Sequence, residues 1–292
     1  MLRCVLLSLN VCAAASGHSQ RARAIESIKS SFIHTVGTVA ADRAQHGRLP
    51  PAVTLLDVGT NAGTFSAAMM TWLHRRAPAV APRLVMFEPQ PQFRTSLATL
   101  AERWNGVLLP AAAWTHDTKL TFHIDRNNSE SSSLLEKADK SVAKHQRSTI
   151  VVPAVDFAAY LLRDLLPAPA TKNNDSIAFL KFDVEGAEFD VMPQLIKTHA
   201  LCRTRFLLIE WHIRTLPEAR RAAGLAMKEA LSGILSATCL LPPLLVHDNI
   251  PLNNHLAPDT PGLDAVGSTV QKALFEARAS RLQSAMQVLG YE

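Results

Sequence analysis

The chain has few cysteines, no long apolar run and little net charge beyond its first fifty residues. Only four cysteines occur in 292 residues: Cys4, Cys12, Cys202 and Cys239. No two stand at metal-ligand spacing, which argues against a zinc site and against a disulfide scaffold. Cys202 and Cys239 are close enough in sequence to pair, but two buried free thiols are the expected state. No stretch approaches the ~18 consecutive apolar residues of a membrane span. No repeat of solenoid period is visible. The formal charge is +5, and it is concentrated at one end. Residues 1–50 carry Arg3, Arg21, Arg23, Lys29, Arg43 and Arg48 against Glu26 and Asp42. The rest of the chain is nearly neutral, so a pI of about 9.2 is no sign of nucleic-acid binding.

What is present is an ordinary globular composition, 48% hydrophobic and 19% charged, which excludes disorder, collagen and coiled coil. Residues 1–50 read as a leader. "MLRCVLLSLNVCAAASG" has the basic-apolar-small order of a secretory signal, and the acid-poor stretch after it also suits a transit peptide. A loosely packed helix is the plain alternative. The secretory pathway is slightly favoured over an organelle or the cytoplasm. No mature transmembrane span is expected.

From residue 51 the pattern alternates between short apolar runs and amphipathic stretches. Strands are expected at 53–59, 83–89, 106–114, 119–124, 150–155, 178–186 and 205–213. Pro153 marks 150–155 as an edge strand. Helices are expected at 62–76, 91–104, 156–166 (with Asp156 as its cap), from Ala187 onward, at 217–236 and at 268–288. This order implies an α/β fold: a doubly wound, mostly parallel sheet with helices on both faces. Ligands bind such sheets outside the carboxyl ends of the strands. Four strands end there in polar groups: Asp57, Glu88, Asp183 with Glu185, and Glu210 with His212.

The turn "LLDVGTNAGTFS" (55–66) identifies the ligand class. A dinucleotide site requires G-x-G-x-x-G, so that bare backbone can approach a pyrophosphate. Here the second and third glycine positions are Asn61 and Thr64, leaving Gly59 and Gly63. Asp57 would repel phosphate but suits an ammonium or a sulfonium. Glu88 is placed to accept from two ribose hydroxyls. S-adenosylmethionine offers these groups and no phosphate.

The turn resembles the first motif of class I S-adenosylmethionine-dependent methyltransferases. The wider set resembles the FkbM-type family: "VMFEPQPQFRTSL", "AAAWTHDTKLTFHI", "NSESSSLL", "VPAVDFAAYL", "FLKFDVEGAEFDVM" and "LLIEWH", in order over residues 53–213. The resemblance implies that Asp57, Gly59, Asn61 and Gly63 line the methionine end of S-adenosylmethionine. It implies that Glu88 holds the ribose and that Ala112 and Ala113 approach the adenine. Asp183 and Glu185 would face the transfer centre. With Glu210 and His212 they would help a hydroxyl lose its proton.

Plain alternatives stand beside these roles. Asp183 and Glu185 could cap the following helix, Lys181 could be a pairing residue, and His212 could be a hydrogen-bonded core histidine. Magnesium could be held by the same oxygens, but the resemblance does not require a metal, and none is assigned. The expected acceptor is a small-molecule or glycan hydroxyl, and no nucleic-acid partner is expected. A non-catalytic methyltransferase-like protein and a nicotinamide-dependent oxidoreductase are the rival readings. The domain is placed at 51–292, with 214–292 divergent. The usual terminal antiparallel strand pair does not follow "VLGYE", so the 239–265 segment either replaces that edge or the chain is cut short.

Overall fold

The run Ala52–Val58 is apolar on both sides, as a strand covered on both faces must be, and it forms β1. The computed structural model describes residues 52–76, 78, 81–125, 132–134, 147–165, 177–239 and 243–247. The leader 1–50 and the expected helix 268–288 lie outside the described residues. In chain order, β1 is followed by α1 (Thr64–Arg76), β2 (Ala81–Phe87), α2 (Arg94–Arg103), β3 (Val107–Leu109), β4 (Ala112–Trp114) and β5 (Thr118–Asp125). Then come β6 (Arg147–Asp156), α3 (Phe157–Ala159), β7 (Ile177–Phe182), α4 (Glu188–Lys197), β8 (Thr204–Ile209), α5 (Glu218–Thr238) and β9 (Leu244–His247).

Six parallel strands make the main sheet, in the order β3-β2-β1-β7-β8-β9. Strand alternation splits its side chains between two cores. On one face Val53, Leu55, Leu84 and Met86 meet Phe65, Met69 and Leu73 of α1 and Leu97 and Ala101 of α2. On the other, Leu56, Val58, Phe87, Phe182 and Ile209 meet Phe157 of α3, Phe189 and Met192 of α4, and Met227 and Leu231 of α5. The chain runs outward from β1 to β3, then returns to β7 on the other side of β1. The strand order therefore reverses between β1 and β7, which is where a doubly wound sheet opens a crevice.

Four expectations are corrected. The stretch 106–114 is not one strand. It breaks at Pro110, which has no N–H to donate, so β3 joins the main sheet and β4 joins a second sheet of order β4-β6-β5. Strand β6 is the centre of that second sheet rather than an edge. Its proline is tolerated because β4 pairs only with Ala154–Asp156, leaving Pro153 just beyond the ladder on that side. Asp156 does cap the following helix, accepting from Ala159 N at 2.9 Å. A sixth strand absent from the expected strand list, β9, lies within the 239–265 segment that was one expected replacement for the edge, and it extends the main sheet parallel to β8.

The fourth correction concerns the thiols. Cys202 and Cys239 form a disulfide, with their Cα atoms 5.0 Å apart. Cys202 precedes β8 and Cys239 ends α5 just before β9. Because β8 and β9 are neighbours, the residues leading into them lie side by side, despite a sequence separation of 37. Cross-linking a loop of this length restricts the unfolded chain and is worth about 2–4 kcal/mol. Reductant, or Cys239→Ser, should lower the unfolding free energy by about that amount in a urea titration. An unchanged midpoint would mean the bond adds nothing.

Candidate active site

The turn after β1 is built from backbone contacts. Gly59 N and Thr60 N both donate to Phe87 O at the end of β2 (3.0 and 3.1 Å), and Thr60 Oγ1 donates to Asp57 O at 2.8 Å. Gly59 sits at φ +78°, and a Cβ there would lie 1.7 Å from the carbonyl oxygen of Asp183. The glycine therefore lets the ends of β1 and β7 touch. Asn61, at φ 52°, holds the left-handed conformation that asparagine tolerates.

Glu88 joins this turn to β2. Its Oε2 accepts from Asn61 N at 2.6 Å and its Oε1 from Gln90 N at 2.9 Å. Burial pushes the Glu88 carboxyl above its ordinary range, and those two backbone donors offset part of the rise.

Asp57 and Lys181 are paired residues in the β1–β7 register, and both are buried. Lys181 Nζ lies 3.1 Å from Asp57 Oδ1 and 3.1 Å from Asp183 Oδ2, and it donates to Gly59 O at 2.8 Å. Ser66 Oγ donates to Asp57 Oδ2 at 2.5 Å. Burial disfavours the ammonium, but the charges of Asp183 and Asp57 outweigh it and hold Lys181 well above its ordinary value. Lys181 is thus a pairing residue, as the plain alternative held.

The loop after β7 carries the second cluster. Glu185 is a non-glycine residue at φ 56°, a strained conformation that persists only where the surroundings hold it. Ser133 Oγ donates to Glu185 O at 2.6 Å, so Ser133 is tied to this loop. His212, just beyond β8, turns Nε2 toward Glu185 Oε1 (3.4 Å), Glu210 Oε1 (3.7 Å) and Asp183 Oδ1 (3.9 Å). Burial by itself would lower the basicity of His212. The carboxylates of Glu185 and Glu188 overcome this and raise its pKa well above 6.5.

The structure therefore brings Asp57, Gly59, Asn61 and Glu88 into one turn, joins it through Lys181 to Asp183, and gathers Asp183, Glu185, Glu210 and His212. Gly63, at φ +83°, shapes the entry to α1 against Leu97 and Leu100. Ala112 and Ala113 lie on β4 in the second sheet, buried in different clusters. The sequence assigned no role to Glu188, whereas Lys181 was already open to reading as a pairing residue and its partners follow from the β1–β7 register. Glu188 was visible only as part of the E-G-x-E block.

Asp183, Glu188 and His212 offer ligand atoms all within 4.8 Å of one another, close enough to share a cation. Glu188, however, accepts from Val184 N and Gly186 N and contacts His212 Nδ1, so it serves the protein framework.

A family model described as a methyltransferase FkbM domain matches residues 57–232. No curated protein and no solved structure matches the chain.

Proposed function

Because this chain belongs to the FkbM methyltransferase family, we propose that it transfers a methyl group from S-adenosylmethionine to a hydroxyl oxygen of a small-molecule or glycan acceptor. When bound, S-adenosylmethionine supplies an electrophilic methyl on a positively charged sulfur. The observation that carries this reading is the charge balance at the switch point. Among the described residues, Asp57, Asp183, Glu185, Glu188 and Glu210 gather around Lys181 and His212. Such a centre favours a sulfonium or ammonium and opposes a pyrophosphate. Lys181, the cation nearest the turn, is already engaged with Asp57, Asp183 and Gly59 O, which leaves it poorly placed for phosphate.

In this reading Gly59, Asn61 and Gly63 shape the turn around the methionine end. Asp57 acts at one remove, by holding Lys181. Each oxygen of Glu88 keeps a lone pair beside its backbone donor and so can accept from the ribose hydroxyls. Ala112 and Ala113 form the adenine side. The side chains of Asp183, Glu185 and Glu210 are 13%, 20% and 10% exposed, so they retain access to a ligand. The carboxylates of Glu185 and Glu188 hold the His212 pKa well above its ordinary value, so in this reading the base for the acceptor hydroxyl is one of Asp183, Glu185 and Glu210. The disulfide supports maturation in an oxidising compartment, in keeping with the signal-like start. No helix among the described residues is long and apolar enough to cross a membrane.

Calorimetry with S-adenosylmethionine and with NAD tests the cofactor. Binding of the first and indifference to the second is expected, and the reverse sinks the proposal in favour of an oxidoreductase. Mass spectrometry of extracts incubated with isotopically labelled methyl donor then tests transfer. A labelled product is expected from the wild type, with turnover lowered in Asp183→Asn more than cofactor affinity. Binding without any labelled product would favour the non-catalytic reading.

A further inference from the structure

Of the acidic residues at the switch point, Glu185 alone stands at a positive φ, 56°. An L-residue resists that conformation because its Cβ crowds the following carbonyl oxygen. The residues on either side of it are held by the main domain. Asp183 O packs against Gly59, and Val184 N and Gly186 N donate to Glu188 at 3.0 and 2.8 Å. The Glu185 carbonyl oxygen accepts instead from Ser133 Oγ, at 2.6 Å and 52 residues away in sequence.

Ser133 reaches this carbonyl from the second sheet. Its backbone exchanges two hydrogen bonds with His123 of β5: Ser133 N donates to His123 O at 3.0 Å, and His123 N donates to Ser133 O at 2.8 Å. Leu134, next in the chain, packs against the cluster of Ala112, Phe122, Val152 and Ala154. The serine is therefore anchored by its backbone and by its neighbour, and it is only 1% exposed. A hydroxyl fixed in this way has its direction set before any ligand arrives.

We propose that Ser133 is a positioning residue acting through Glu185: its hydroxyl holds the Glu185 carbonyl, keeps that residue left-handed, and so keeps its carboxylate in the group that meets the His212 ring with Asp183 and Glu210. Rotation about the N–Cα bond moves Cβ and everything beyond it. A Glu185 that relaxes to negative φ therefore swings its carboxylate out of the group. The strain of one left-handed residue and the net worth of one hydrogen bond are of similar size, so a single bond is enough to decide between the two conformations. This role rests on the methyl-transfer reading of the same site, in which Glu185 faces the reacting atoms. In that reading the β1 turn and Glu88 hold the cofactor, so cofactor affinity is not what Ser133 controls.

Ser133→Ala tests the role, because it removes the hydroxyl and leaves the backbone pairing with His123 in place. Calorimetry should give an affinity for S-adenosylmethionine within about twofold of the wild type. Transfer of isotopic label from saturating S-adenosylmethionine into extract, followed by mass spectrometry, should slow by at least about tenfold, since a displacement of about 1 Å at a reacting centre costs roughly 100-fold. Glu185→Gln should slow transfer as well. Adding Ser133→Ala to Glu185→Gln should then cost less than about a further twofold, because two residues that act as a unit do not add.

A merely structural serine would lower melting temperature and cofactor affinity together with turnover, and its cost would add to that of Glu185→Gln. An additive loss in the double variant overturns the proposal, as does a Ser133→Ala protein that no longer folds or binds S-adenosylmethionine. Label transfer by the wild type with Ser133→Ala or Glu185→Gln equally fast overturns this inference alone. No labelled product from the wild type overturns the methyl-transfer reading and this role with it.

Discussion

Gly59→Ala should abolish cofactor binding and unfold a large part of the β1–β7 crevice. Its new Cβ would stand 1.7 Å from Asp183 O, a backbone atom that cannot swing aside. Relief requires the ends of β1 and β7 to part by more than an ångström, which breaks the contact of Lys181 with Gly59 O and spreads the carboxylates. The positive φ adds about 1–2 kcal/mol for an L-residue. A displacement of about 1 Å at a reacting centre is enough for roughly a 100-fold loss of rate. Cofactor affinity by calorimetry and melting by circular dichroism check the prediction.

Gly63→Ala is the control. Its φ is equally unfavourable, but its Cβ would meet the ends of the Leu97 and Leu100 side chains, which can turn. Its cost should stay near the conformational term of about 1–2 kcal/mol. If both variants melt and bind alike, the close approach of β1 to β7 is not what the first glycine serves.

Lys181→Met should destabilise the fold by about 3–5 kcal/mol, because it strands a carboxylate rather than a surface charge. Asp57 is fully buried and would keep only the hydroxyl of Ser66. Replacing both partners should recover much of the loss, since a buried ion pair and a neutral pair of similar volume often differ little. The double variant Asp57→Asn, Lys181→Met should therefore be more stable than Lys181→Met alone. Equal stability of the single and double variants would show that Asp57 was not the reason Lys181 is held there.

The amino-acid pattern by itself was enough for the layered α/β architecture, the strand ends that carry acids and the glycine turn. These follow from local rules: apolar runs of strand length, helical spacing such as Phe65, Met69 and Leu73, and glycines where the backbone turns back. It also places Asn61 and Thr64 where the dinucleotide fingerprint has glycines. Family membership was readable from the order of motifs between residues 53 and 213, and the match over 57–232 establishes it.

Tertiary structure alone decided what each charge does. Asp57 and Lys181 are 124 residues apart in sequence, and only the register of β1 on β7 pairs them. Cys202 and Cys239 meet because the chain segments entering β8 and β9 are neighbours, and β9 itself became a strand only by finding the open edge of β8. Pro153 could occupy a central strand because β4 is too short to need its missing donor. Four carboxylates, two from the loop after β7 and one each from α4 and the end of β8, converge on the His212 ring, and those of Glu185 and Glu188 raise its pKa well above the ordinary value. Local pattern specifies which elements form, through backbone preference and the burial of apolar faces. The partner of a buried charge depends on distances between elements, and those exist only after the sheet has assembled.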